Sequence, residues 1–339
     1  MEPFFDKKPI FINPLFGKHY LKKALLRGLN PQSAIYIWGK KKFPEIEQYA
    51  HDNAMAIFRV EDGFIRSVGL GSDLTQPYSL VVDSKGIYFD PTCESDLEHI
   101  LQTHVFSEIE IKRAKDIQNY LIEKKISKYN LYSNVELNFP KDKKIIIVPG
   151  QVEDDASIFY GANGMTNLKL LQQTRANRPD AYIVYKPHPD ILVGNRVGAV
   201  IESDAFSYCD RIVTEVGIDS VLAHADEVHT MTSLVGFEAM IRGIKVVTYG
   251  VPFYAGWGLS EDSYTCERRS RILSIDELIA GTYLLYPRYI HPEMKKQCEI
   301  EEILSVFEEK RHIYRNSSTL RIRNWISRKS QQFYRTIQN

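Results

Sequence analysis

The stretch Tyr185-Lys186-Pro187-His188-Pro189-Asp190 decides the reading of this chain, taken together with Thr230-Met231-Thr232-Ser233 about forty residues later. The first places a Lys and a His where a predicted strand, Ala181 to Tyr185, runs out. The second places hydroxyls where another predicted strand, Glu227 to Thr230, gives way to a helix. In an open α/β sheet, ligands bind beyond the carboxyl ends of the strands. Cations, a histidine and a helix start together suit an anion, above all a nucleotide phosphate. A lone His is usually structural, but prolines on either side of His188 fix an extended backbone and hold its direction.

Working outward, the second half alternates strand and helix. Ile145 to Val148 is a continuous β-branched run and reads as a buried strand. A helix over Asn167 to Ala176 follows, then the strand Ala181 to Tyr185. A strand end is expected at Asp210 to Val213, then a helix over Ile218 to His224. After Glu227 to Thr230 comes a helix over Val235 to Arg242, stopped by Gly243, and then a strand over Lys245 to Tyr249. This order predicts a parallel sheet with helices on both faces.

The first half offers strand candidates at Ile10 to Ile12, Ser33 to Trp38, Ala56 to Val60, Leu80 to Asp83 and Ile87 to Phe89. Helical stretches are expected at Tyr20 to Arg27, Phe43 to Asp52 and Ile109 to Leu131. The polar, proline-containing segment Asn138 to Lys144 marks a boundary. The expected organisation is α/β: a Rossmann-like domain over 1–143, a second, ligand-binding one over 144–286, and a basic helical tail over 287–339. Two such domains facing a cleft form the GT-B architecture of glycosyltransferases.

Acidic motifs carry the remaining chemistry. Glu61-Asp62-Gly63-Phe64-Ile65-Arg66-Ser67 follows the strand Ala56 to Val60, with Gly69 and Gly71 behind it. Adjacent carboxylates there can supply a general base, or simply form an acidic turn. Gln151-Val152-Glu153-Asp154-Asp155-Ala156-Ser157 follows the strand ending at Val148. Its three acids read as helix-capping residues, or as a carboxylate placed to attack or stabilise an oxocarbenium ion. Mutual repulsion among three neighbours favours the second reading. Thr232 or Ser233 can cap the helix that contains Glu238. Gln151, Arg66 and Ser67 are further substrate-binding candidates. So are Tyr254 and Trp257 in the loop Val251 to Gly258, whose aromatics serve either as core plugs or as stacking platforms.

Composition narrows the class. The 339 residues carry 43 Lys or Arg and 43 Asp or Glu, so no global field attracts nucleic acid. Cys93, Cys209, Cys266 and Cys298 fit neither a CxxC pair nor a zinc spacing, and read as reduced thiols of a cytoplasmic protein. The N-terminus lacks a signal-peptide core, and no apolar run is long enough to span a membrane. Phosphate-loop, dinucleotide, zinc-protease and serine-hydrolase motifs are missing, and nothing demands a metal or a cofactor. Eight Lys or Arg and no acid lie between Lys310 and Asn339. Apolar spacings such as Ile322–Trp325–Ile326 and Phe333–Tyr334–Ile337 make that tail a basic amphipathic helix. It would either brace the first domain or touch an anionic membrane surface.

Taken together, the Glu61–Gly71, Pro149–Ser157, Tyr185–Asp190 and Thr230–Gly258 phrases resemble the bacterial capsular polysaccharide β-Kdo transferases of the KpsC type. Kdo is 3-deoxy-D-manno-oct-2-ulosonic acid. The resemblance runs from about Ile35 to Pro287. Many relatives carry two catalytic modules; this chain would hold one, phrased like their C-terminal module. The resemblance implies CMP-β-Kdo as donor, a saccharide or lipid-linked saccharide as acceptor, capsule-assembly partners at the inner membrane face, and retention of configuration. It implies Asp155 as nucleophile and Glu61 as acid/base, with Asp62 as the other candidate. Lys186, His188, Thr232 and Ser233 would hold the CMP phosphate, and Glu238 the ribose. Other readings are a sialyltransferase, a 2-epimerase-like enzyme of the same fold, or a silent capsule-assembly module.

Overall fold

The computed structural model describes residues 2–5, 7–13, 19–67, 76–126, 137–192, 196–214 and 216–316, with side chains to 308. Among these residues eleven strands form two sheets. The second is the simpler. Its strands are β4 (Ile145–Pro149), β5 (Tyr182–Lys186), β6 (Arg211–Ile212), β7 (Glu227–Thr230), β8 (Lys245–Thr248) and β9 (Glu261–Asp262). They lie in the order β6-β5-β4-β7-β8-β9, and every pair is parallel. All five residues of β4 are buried, as a parallel strand covered on both faces requires. From β4 the chain steps outward to β5 and β6, then returns to lay β7 on the other side of β4. The ends of β4 and β7 therefore flank a topological switch point, where an open sheet leaves a crevice.

The first sheet departs from expectation. Its strands are β1 (Ile35–Trp38), β2 (Ile57–Asp62), β3 (Ser79–Asp83), β10 (Pro287–Ile290) and β11 (Gln297–Cys298). Only β1 and β2 pair in parallel, across the Pro44–Asp52 helix. The pairs β2–β3, β3–β10 and β10–β11 are antiparallel. The sheet is thus mixed rather than Rossmann-like. Ile10 to Ile12 and Ile87 to Phe89 are not strands; Ile10 and Phe11 are 59% and 53% exposed, so no sheet face encloses them.

The segment from residue 287 is not a detached tail. It supplies two strands to the first sheet, and the helix Ile300–Asn316 follows them. Ile300, Ile303, Leu304 and Phe307 are buried in the main core with Tyr78 and Tyr289. Arg113 holds Glu299 and Glu301 at 2.7 and 2.8 Å, and the Tyr120 hydroxyl donates to Glu308 at 3.0 Å. Tyr286 donates to the buried Asp83 at 2.7 Å, fastening the return to β3. Up to Glu308 the segment therefore braces the first sheet. The basic residues beyond Ser317, Gly69 and Gly71, and the end of the expected 109–131 helix lie outside the described residues; that helix is Glu108–Glu123, begun by a capping box at Ser107.

One apolar cluster joins both sheets, from Phe64 and Leu101 through Phe237 and Trp257 to Phe307. A buried polar node adds to it. Glu98, 4% exposed, receives Arg269 Nε at 2.9 Å and Arg268 Nε at 2.6 Å. Arg269 also donates to the carbonyls of Pro252 and Ala255, at 2.6 and 3.0 Å. A buried charge pair of this kind is tolerable only with such additional bonds.

Candidate active site

A cavity of about 980 Å³ lies between the two sheets. Trp38 to Lys41, Glu61, Tyr88 and Phe89 line it from the first, and Pro149 to Ser157, Lys186 to Asp190, Thr232 to Val235, Glu238, Pro252 and Phe253 from the second.

The floor is the switch point. Gln151 leaves β4 with its side chain buried and bonds across to the end of β7. Its Nε2 donates to Thr232 Oγ1 at 3.0 Å, and its Oε1 receives the Thr232 amide at 2.9 Å and the Thr230 hydroxyl at 3.3 Å. Asn167, fully buried, donates to the Gln151 carbonyl at 2.7 Å and the Gly198 carbonyl at 2.9 Å, and accepts the Gln151 amide at 2.8 Å. Gln151 thus positions the Thr230–Ser233 turn. Gly150 is required here, because a Cβ would lie 2.8 Å from the Tyr185 hydroxyl and 3.1 Å from Pro187 Cα.

Lys186 ends β5 and lines the cavity at 7% exposure. Burial drives its ammonium pKa down to about 8, so an incoming anion would find a cation poorly shielded by water. At His188, Nδ1 accepts the Asp190 amide at 3.2 Å. That assigns the neutral ring's proton to Nε2. Ser233 caps the helix Leu234–Ile241 by accepting the Val235 amide at 3.2 Å, and the buried Glu238 of that helix reaches the cavity wall.

The three acids do not crowd one another. Glu153 accepts the Asn167 amide at 2.7 Å; Asp154 pairs with Arg196 at 3.0 Å. Asp155 caps the helix Ala156–Gly161, with the Ser157 amide at 2.9 Å and its hydroxyl at 2.8 Å. The capping reading is therefore correct for Asp155, yet not exhaustive. Both bonds fall on Oδ1, and the residue is exposed along the cavity. A cap requires one oxygen, and among the described residues no bond falls on the other.

Glu61 and Asp62 separate as neighbours on a strand must. Both belong to β2, not to a turn after it. Glu61 lines the cavity; Asp62 is bound at 2.6 Å by Arg66, which also donates to Ser67 at 3.0 Å. Arg66 and Ser67 are 7% and 0% exposed and lie off the cavity wall, so they anchor the motif rather than line the site. Tyr254 and Trp257 are likewise corrected: both are fully buried core plugs. Trp257 donates to the Phe253 carbonyl at 2.8 Å, and Tyr254 donates to the Ser233 carbonyl at 2.5 Å. Tyr254 thus supports the Ser233 turn from behind, against Gly236, where a Cβ would collide with its ring.

Sequence reasoning missed Lys40, Phe159, Tyr160 and Asn167. Lys40 stands just beyond the carboxyl end of β1, the same signal that drew attention to Lys186. It pairs with the buried Asp90 at 2.6 Å and sits 5.3 Å from the Tyr160 ring centre. Asn167 looked like an ordinary helix start; only the fold brings it under Gln151.

Known proteins are similar to this chain. A family model described as capsule polysaccharide biosynthesis protein matches residues 33–289. Capsule polysaccharide modification protein LipA of Neisseria meningitidis serogroup B is 46% identical over 293 residues, which cover 86% of this chain and 42% of LipA. Lipopolysaccharide-processing protein LpsZ of Rhizobium meliloti is 40% identical over 84% of this chain and 66% of its own length. The chain thus spans less than half of LipA. Two solved structures from Thermosulfurimonas dismutans KpsC are similar. The beta Kdo 2,7 transferase superposes with TM-score 0.72 at 37% identity, covering 87% of this chain and 90% of that one. The beta Kdo 2,4 transferase gives TM-score 0.75 at 32% identity, covering 81% and 87%. With that family model matching most of the chain and both KpsC structures matched over most of their length, the chain belongs to the capsule polysaccharide biosynthesis protein family and is KpsC-like.

Proposed function

We propose that this chain is a retaining β-Kdo transferase of GT-B type, moving Kdo from CMP-β-Kdo to a saccharide acceptor in capsule or related surface polysaccharide synthesis. The observation that carries this reading is the meeting, in one cavity, of Lys186, His188, Thr232 and Ser233 with the carboxylates of Asp155 and Glu61. The two KpsC structures, described as Kdo transferases, supply the sugar.

In this scheme the second sheet binds the donor. Lys186, the His188 Nε2–H and the Ser233 region hold the CMP phosphate, and Glu238 accepts from the ribose. Asp155 Oδ2 attacks C2 of Kdo; the C2–O bond to phosphate breaks, and its electrons leave with CMP. The leaving group is already acidic, so neutralising its charge replaces protonation. Glu61, on the facing wall, then takes the proton of an acceptor hydroxyl, whose oxygen attacks C2 and releases Asp155. Two displacements at one carbon retain configuration. The scheme calls on no cofactor besides the donor. No described helix is long and apolar enough to cross a membrane; we place the reaction at the cytoplasmic membrane face, where a lipid-linked acceptor would be presented.

The test is incubation with a CMP-Kdo-generating system and Kdo-, ribose- and hexosamine-ended acceptors, with anomeric configuration read by NMR. A new β-linked Kdo is expected. Transfer from a different nucleotide sugar, or CMP binding without any transfer, would overturn the assignment.

A further inference from the structure

Sixteen large apolar side chains are strongly exposed among the described residues, and Phe159 is the one that also lines the cavity. It is 79% exposed. The helix Ala156–Gly161 does not need it for packing, because Ile158, 6% exposed, and the following Ala162 make the contact with the second core cluster. Its position is fixed relative to the proposed nucleophile. The Phe159 amide donates to the Asp155 carbonyl at 3.0 Å, so one helical turn separates them. Both residues line the cavity.

The ring is also braced. Tyr160 meets it edge-on, with centroids 4.9 Å apart. Tyr160 is in turn approached by Lys40 of the first sheet, which Asp90 holds. Phe159 and Tyr160 both line the cavity, whose other wall carries Lys40 and Glu61, the expected base for the acceptor. A water-exposed phenyl ring in a cavity lined by charge is costly to keep solvated. Its chemistry fits the C–H face of a pyranose or furanose ring.

From this we infer that Phe159 is the acceptor-sugar platform, a specificity-determining residue that stacks beneath the acceptor ring and sets its hydroxyl over Asp155. The inference rests on the transferase reading. Phe159→Ala should raise acceptor KM by roughly tenfold or more, the scale of an aromatic stacking contact, with CMP affinity unchanged. Phe159→Trp should restore the lower KM. An unchanged acceptor KM in Phe159→Ala overturns the platform while leaving the transferase standing. A loss of CMP affinity instead makes Phe159 a base-stacking residue, and a loss of binding to anionic vesicles makes it a membrane contact; either overturns the inference. If the wild-type protein shows no Kdo transfer at all, saturation-transfer NMR with methyl glycosides of Kdo, ribose and N-acetylglucosamine decides. A signal lost in Phe159→Ala and regained in Phe159→Trp supports the platform; equal signals in all three proteins reject it.

Discussion

The second sheet is built from one continuous stretch, residues 145–262, whereas the first is completed only when the chain returns at residue 287. The second is wholly parallel and its switch point collects the proposed donor-binding groups. The first is mixed and offers fewer groups to the cavity, chiefly Lys40 and Glu61. A local unit can be read strand by strand; a unit closed by a distant segment cannot. In the proposed scheme the donor's phosphate and ribose fall to the local sheet, and the acceptor's base, Glu61, to the one completed from afar.

The comparison breaks most severely if the return is removed. Truncation after Tyr286 deletes β10 and β11 and the helix carrying Ile300, Ile303, Leu304 and Phe307, all 3% exposed or less. Each such side chain stabilises by about 1.5–3 kcal/mol. Four of them approach the whole stability of an ordinary domain, about 5–15 kcal/mol. The truncated protein should lose its cooperative thermal transition, followed by circular dichroism. A sharp transition at the wild-type temperature would mean that the first sheet stands without its last strands.

This also explains what the sequence could tell. Ile145 to Val148, flanked by Lys144 and Pro149-Gly150, is a buried strand by composition alone, and the Val246-Val247 centre of β8 follows the same rule. The carboxyl-end rule then located Lys186, Thr232 and Ser233. β10 was not legible, because Pro287-Arg288-Tyr289-Ile290 carries a proline and becomes a strand only beside β3. Trp257 and Tyr254 failed for a related reason: an aromatic loop reads alike whether it plugs a core or stacks on a sugar. Arg269, which reaches across from Glu98 to the Pro252 and Ala255 carbonyls, decides it, and those contacts are far apart in sequence.

The next largest effect separates Asp155's two roles. Asp155→Asn keeps an oxygen for the Ser157 amide and caps about as well as Asp. It should melt like wild type and bind CMP normally, yet lose transfer by at least roughly 10⁴-fold. Asp155→Ala should lose transfer equally and about 1 kcal/mol of stability as well. Transfer surviving in Asp155→Asn would reduce Asp155 to a cap.

On the first sheet, Glu61→Gln should slow transfer by about 10²–10⁴-fold, the range of a lost general base, with CMP affinity intact. Kdo held on Asp155 should then be visible by intact mass spectrometry. Asp62→Asn should act differently. It weakens the bond to Arg66, which is 7% exposed, so the loss should appear in the melting temperature more than in the rate. If Asp62→Asn abolishes transfer while Glu61→Gln spares it, the wall assignment is reversed.

The smallest effect is the most specific to the second sheet. Lys186→Ala should weaken CMP binding by about 1.5–3 kcal/mol, the worth of a charge-assisted bond. Its pH dependence has a definite sign. Burial lowers the Lys186 pKa from 10.5 to about 8. Between those two values the unfolded chain holds the proton more tightly than the folded one. This group therefore makes the unliganded protein more stable as pH rises from about 8 towards 10.5. A bound phosphate favours the ammonium and raises its pKa, so binding above pH 8 must take up a proton. The contribution of Lys186 to CMP affinity should then be full and independent of pH below about 8 and fall above it, by at most about tenfold per pH unit. Calorimetry in two buffers of different ionisation enthalpy would detect that proton directly. Lys186→Ala should abolish both the proton uptake and the decline; if both persist in the variant, another group carries the phosphate's charge.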